Sequence, residues 1–374
     1  MVCSGWLIRG RGLVLAVLVA FGLEVPAARA QQLSPSSPLG QALAISPASA
    51  RGVYFTDWVR LKQYEGIPTL TSRGPLPVRA RFLEAVIRDQ AVASFFGAAY
   101  ALRQASLWGW DATDLLWEER VEAVAGPPAY ALRLRPDFDL SLVERRFRAR
   151  GFTMRSYRGV AVYSHPLDLA ADWANSTDLA LYNAAVLPDR HTLVLSAGVS
   201  SVHAIIDTYR DAAPSLGASR AMQATAARLG VVAAAVLLPG AVACRTFDPL
   251  AGLPNEAAPA TRQALLHRLR LDHLRLHPYQ LFGLGYRVEG KRPLGIITLH
   301  YADARDAAED LAARSRIAAT GISPRQDEPY HQLFTFLSAA AAGDDVILRL
   351  GPAHPPGLID MVGMGDMAFA ACGS

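Results

Sequence analysis

Beyond residue 50 the apolar positions switch repeatedly between a spacing of two and one near 3.6. In "RGVYFTDW", Val53 and Phe55 alternate with small or polar neighbours and predict a strand. Asp57 stands where an N-cap belongs, before a short helix to Tyr64 that Gly66 ends. "PVRARFLEAVIRDQAVASFFGAAYALRQAS" follows as a long helical region, with Phe82, Val86 and Phe96 on its apolar stripe. From Pro128 the pattern changes. "AYALRLRP" alternates as a strand, and "DFDLSLVERRFRARG" reads as a helix capped by Asp137 or Asp139 and stopped by Gly151. "TMRSYRGVAVYSH" is a strand pair, or one bent strand, about Gly159. "NAAVLPDRHTLVLSAG" is a hairpin turned at Pro188-Asp189, with Leu193 and Leu195 on one face. Two helices follow, "SSVHAIIDTYRDA" capped by Ser200 or Ser201, and "SLGASRAMQATAARLG"; "VVAAAVLLPG" is a buried strand.

The remainder repeats this order loosely. "QLFGLGYRVEG" and "PLGIITLHY" are strands joined at "EGKR", and "ADARDAAEDLAARSRIAATG" is a helix stopped by Gly321. "FTFLSAAAAGDDVILRLG" is a hairpin, and "PPGLIDMVGMGDMAFAAC" runs through a short helix to a last strand. "TLVLSAGVSSVHAIID" parallels "VILRLGPAHPPGLIDM" in layout. The predicted class is α+β: two related units, each an antiparallel-rich sheet with helices packed on one face. The boundaries fall at a leader over residues 1–30, a flexible Ser/Pro/Ala-rich spacer over 31–50, a first unit with its N-terminal helical region over 51–255, and a second unit over 256–374.

The segments "GVYFTDW", "FDLSLVERRFRARGF…YRGVAVY" and "LPDRHTLVLSAGVSSVHAIID" resemble parts of exported bacterial proteins of unknown function, in which a turn, a strand and a helix recur in tandem. The resemblance spans about residues 50–245. It implies export and a repeated α+β build, and it brings no activity and no site residues.

The N-terminus agrees with export. Arg9 and Arg11 precede the apolar run "LVLAVLVAFGL", and Ala28-Arg29-Ala30 presents small residues for cleavage before Gln31. That run is too short to span roughly 30 Å of hydrocarbon, so no transmembrane span is expected in the mature chain. Of the three cysteines, Cys3 leaves with the leader. Cys244 and Cys372 remain, and an oxidising compartment favours a disulfide between them. The chain carries a net charge of +4; losing the leader removes three arginines and one glutamate, leaving +2. The arginines are scattered, so no nucleic-acid partner is expected.

Candidate chemistry is sparse. In "LWGWDATDLLWEE", Trp108 and Trp110 could stack on sugar rings while Asp111 or Asp114 supplies an acid, the arrangement of a glycan cleft. The same residues also spell a helix start, with Asp111 as N-cap, Asp114 as its reciprocal partner, Leu115 to Trp117 turning inward, and Glu118 and Glu119 facing water. His273 and His277 share a face in "LDHLRLHP" and are weak metal candidates, without a third ligand at recognisable spacing. "GYRVEGKR" has phosphate-loop spacing but lies in a hairpin turn and lacks the Ser or Thr for magnesium. Ser196 lacks the glycines of a nucleophile elbow. Asn175-Ser176-Thr177 is a sequon in form. No cofactor is expected. The sequence points to an exported protein with a non-catalytic role at the cell envelope, structural or binding an unknown partner or ligand. The alternative is an envelope hydrolase acting on glycans through an Asp acid and a Trp platform.

Overall fold

Among the described residues the alternating segments become twelve strands that pair edge to edge in one antiparallel sheet. The computed structural model describes residues 34, 36–95, 101–166, 182–251, 257–271 and 275–373. The strands are β1 (Gly52–Asp57), β2 (Leu115–Glu122), β3 (Ala129–Leu134), β4 (Thr153–Tyr157), β5 (Val160–Ser164), β6 (Asn183–Leu187), β7 (Thr192–Ser196), β8 (Ala234–Pro239), β9 (Leu281–Glu289), β10 (Arg292–His300), β11 (Phe334–Ala342) and β12 (Asp345–Pro352). Their order across the sheet is β11-β12-β10-β9-β8-β1-β2-β3-β7-β6-β5-β4. The helices are α1 (Pro38–Leu43), α2 (Trp58–Tyr64), α3 (Leu76–Asp89), α4 (Ala101–Trp108), α5 (Leu140–Ala149), α6 (Val199–Tyr209), α7 (Arg220–Leu229), α8 (Gly240–Thr246), α9 (Pro259–Arg268), α10 (Ala304–Thr320), α11 (Tyr330–Leu333) and α12 (Pro355–Met364).

The expected α+β class is therefore observed. The two halves carry the same strand order. β2 and β3 form a hairpin, α5 follows, and the later hairpin β6–β7 adds β7 beside β3, giving β2-β3-β7-β6. In the second half β9 and β10, α10, then β11 and β12 give β9-β10-β12-β11. β8 and β1 lie between these sets, and β8 pairs with β9 from Ala234↔Tyr286 to Pro239↔Leu281, so the sheet runs on through the expected boundary at 255/256.

Helices cover both faces of the sheet, where one covered face was expected. Period-two alternation sends Leu132 and Leu134 to one layer and Ala129 and Ala131 to the other; Val236 and Leu238 likewise oppose Ala235 and Leu237. The first layer takes the apolar sides of α2, α3, α5, α10 and α12. The second takes α1, α6 and α7. Central strands apolar on both sides demand this, because a bare face would leave one of the two residue sets in water. In β9, Gly283 and Gly285 let α7 lie close: a Cβ at Gly283 would fall 2.5 Å from Thr225, and one at Gly285 would fall 3.2 Å from Leu229.

Two further expectations change. Part of the predicted spacer is helix α1: Ser37 caps it by accepting from the Gly40 N–H at 3.0 Å, Pro38 opens it, and Leu39, Ala42, Leu43 and Ile45 are buried in the second layer. A helix of six residues is too short to reveal its period amid Ser and Pro. The expected last strand is instead a 3₁₀ turn, Ala368–Ala370, whose three residues are all buried. Among the described residues no helix is long and apolar enough to cross a membrane.

Candidate functional site

The structure brings Trp108, Trp110, Asp111 and Asp114 together at the start of β2, and all four are buried, with no more than 3% exposure. Trp108 ends α4 and packs on Phe147 and Phe152, centroids 5.3 and 6.0 Å away. Asp111 caps the 3₁₀ turn Ala112–Asp114. It accepts from the Thr113 N–H at 2.9 Å, while its own N–H donates to Asp114 Oδ2 at 3.3 Å. The reciprocal cap is thus present, but a strand follows it, not a helix.

Three cations neutralise this pair of acids. Arg79 binds Asp111 directly, and Arg135 Nε donates to Asp114 Oδ1 at 3.1 Å. Lys62 Nζ donates to the Thr113 carbonyl at 2.9 Å. Burial pushes the Asp111 carboxyl up, against the pull of Thr113 and Arg79. Burial pulls the Lys62 ammonium down, against the attraction of Asp114. Stacking on a sugar needs an open ring face, and protonating a leaving group needs a carboxyl within reach of it. Neither is presented to solvent here. What the cluster does is pin the junction between α4 and β2.

Glu118 and Glu119 are a correction. The helix reading placed both in water, yet each is 0% exposed, because β2 turns successive side chains into opposite layers. Glu118 accepts from Ser94 Oγ at 2.7 Å and from the Trp58 indole N–H at 3.2 Å. Glu119 accepts from Ser46 Oγ at 2.8 Å through Oε2, while its Oε1 is buried without a hydrogen-bond partner. Burial pushes the Glu119 carboxyl up to about 8.

Of the two histidines, His273 lies outside the described residues. His277 joins a network that the sequence did not suggest. Its Nδ1 is 2.8 Å from Asp310 Oδ1, and Nε2 is 3.8 Å from Asp306 and 3.7 Å from Glu309. The Asp310 bond pushes the imidazole up. One atom each from His277, Asp306 and Glu309 lie within 4.8 Å of one another and could hold a divalent cation, with Asp310 orienting the ring. As it stands the imidazole lies among three carboxyl groups, which favour its protonated form. Behind it, the fully buried Arg314 pairs with Asp310 at 2.9 Å and donates to the carbonyls of Phe369 at 2.8 Å and Ala371 at 2.9 Å. Asp310 and Arg314 stand four residues apart on α10; that spacing was the available signal, but it gives no hint of burial.

Cys244 and Cys372 are joined, as expected, with 128 residues of separation. "GYRVEGKR" forms the β9–β10 turn with Gly290 at φ +64°. Ser196 donates to the Pro128 carbonyl at 2.9 Å. Neither expected serine caps α6: Gly198 holds the cap position, and Ser201 donates instead to the Pro127 carbonyl at 2.7 Å. The sequon lies outside the described residues.

No family model matches the chain, and no curated protein does. Among solved structures it is similar to TP0453. Against crystal form I the TM-score is 0.39 at 8% identity, covering 87% of this chain and 97% of that one. Against form III it is 0.37 at 9%, covering 86% and 96%. At that level the likeness says nothing about activity.

Proposed function

We propose that this is an exported, non-catalytic protein of two related α+β units that binds a ligand or partner at the cell envelope. The observation that carries the reading is the Cys244–Cys372 cross-link, since such bonds persist in oxidising compartments and are rare in the cytosol. The leader expected over residues 1–30, outside the described residues, supplies the route. Burial of the cluster of Trp108, Trp110, Asp111 and Asp114 supports a role without catalysis there.

Fractionation of cells producing the full chain tests this. The expected result is a chain beginning at Gln31, outside the cytosol, with no alkylatable thiol before reduction. A cytosolic chain retaining its first residues, with Cys244 and Cys372 alkylatable before reduction, would overturn it.

A further inference from the structure

β3 places Arg133 between Leu132 and Leu134, so while the leucines enter the first layer the arginine points into the second, beneath α1. Its cross-strand neighbours there are Trp117 on β2 and Thr192 on β7. The β6–β7 turn adds Asp189 and Arg190, and Gln41 and Ile45 close the other side around a cavity of about 250 Å³.

Charge in this cavity is unbalanced. Four arginines of the described residues bury an Nε that finds no hydrogen-bond acceptor: Arg60, Arg120, Arg133 and Arg287. Three of them still sit beside an acid. Asp57 is 3.6 Å from Arg60, Glu122 is 3.0 Å from Arg120, and Glu289 pairs with Arg287. Arg133 has no such acid among the described residues. Its guanidinium is pushed down by burial and then by the charge of Arg190.

The other polar groups are already engaged. Arg190 lies over the Tyr209 ring, 5.8 Å from its centroid. The Asp189 carboxylate accepts from the Tyr209 hydroxyl at 2.9 Å and pairs with neither arginine. Gln41 accepts from the Trp117 indole at 3.4 Å and donates to the Ser36 carbonyl at 2.8 Å. Arg133 and Arg190 line one cavity and are both partly shielded from bulk water, so a counter-charge there is favoured, and a guanidinium offers it paired donors in a fixed fork.

We propose that this cavity binds a small oxyanion, a carboxylate or a phosphate, between the guanidinium groups of Arg133 and Arg190. Its volume of about 250 Å³ admits inorganic phosphate or a short organic acid. The proposal rests on the ligand-binding half of the reading above; because it is tested on purified protein, its failure leaves export untouched.

The test is calorimetric titration and thermal melting of the mature chain with sodium phosphate and with sodium acetate, against sodium chloride at matched ionic strength. A saturable effect of phosphate or acetate beyond chloride is expected, weakened at least about tenfold in Arg133→Gln and in Arg190→Gln; which anion acts identifies the ligand's head group. Should Arg133→Gln fail to fold, Arg190→Gln decides alone, because its side chain is only partly buried on a turn. No saturable effect of either anion, or unchanged affinity in Arg190→Gln, overturns the proposal.

Discussion

Glu118 and Glu119 are neighbours on β2 whose carboxyl groups enter opposite layers of the molecule, one meeting Trp58 and Ser94, the other Ser46. Only Glu119 has an oxygen buried with no partner. Folding therefore favours its neutral form. Unfolded, the carboxyl titrates near 4.5; folded, it titrates at about 8. Its stabilising contribution is full below about pH 4.5 and is lost as pH rises through the window to about 8. Relative to Glu119→Gln, the native chain should lose on the order of 3 kcal/mol of stability between pH 4 and pH 7. Denaturant unfolding of both proteins across that range checks this; parallel curves would show that the carboxyl is not held neutral.

Asp111→Ala leaves Arg79, with a side chain only 10% exposed, facing no carboxylate. Breaking a buried pair from one side costs about 3–5 kcal/mol, and Asp114→Ala should cost a similar amount through Arg135. The two effects should fall short of adding, since the acids share one cap. Denaturant melts measure both, and affinity for glycans should be unchanged in either variant. Loss of glycan binding at unchanged stability would restore the cleft.

Reducing the Cys244–Cys372 bond, or replacing Cys244 by Ser, frees the end of the chain that fills the first layer with Met367 to Ala371. A loss of about 2–5 kcal/mol is expected, read as a fall in the denaturant midpoint with and without reductant.

His277 should titrate above the ordinary histidine range, as its proton signals in an NMR titration would report. The folded imidazole holds its proton more tightly than the unfolded one. Its contribution is therefore fully present below about pH 6.5 and disappears as pH rises through the elevated folded value. Being 36% exposed and screened by solvent, it should contribute less than about 1 kcal/mol. His277→Gln should cost more at pH 6 than at pH 9; equal losses would mean the charge plays no part.

Much of the architecture was legible because local rules decide it. Asp57 and Asp139 accept backbone hydrogen bonds at the helix starts expected of them, and Gly151 takes the left-handed backbone at φ +81° that ends α5. What escaped was decided at a distance. Glu119 reads as a surface residue until Ser46, 73 positions away, arrives beside it. Arg314 reads as one solvated charge among several on α10, and its burial depends on carbonyls 55 and 57 residues further on. The placement of α6 and α5 on opposite faces follows from which strand each one leaves, and a hydrophobic stripe carries no record of that. For the same reason Arg133 could be assigned to the face opposite Leu132 and Leu134, but not to the company of Arg190.

The cross-link also imposes an order of events. Between Cys244 and Cys372 lie all of β9 to β12, and β9 must pair with β8 at the middle of the sheet. The middle of the sheet cannot close until β9 has emerged to pair with β8. Cys372 lies beyond β12, so the bond can close only after all four of these strands have been made, and the tail that Arg314 grips is the last segment to be secured.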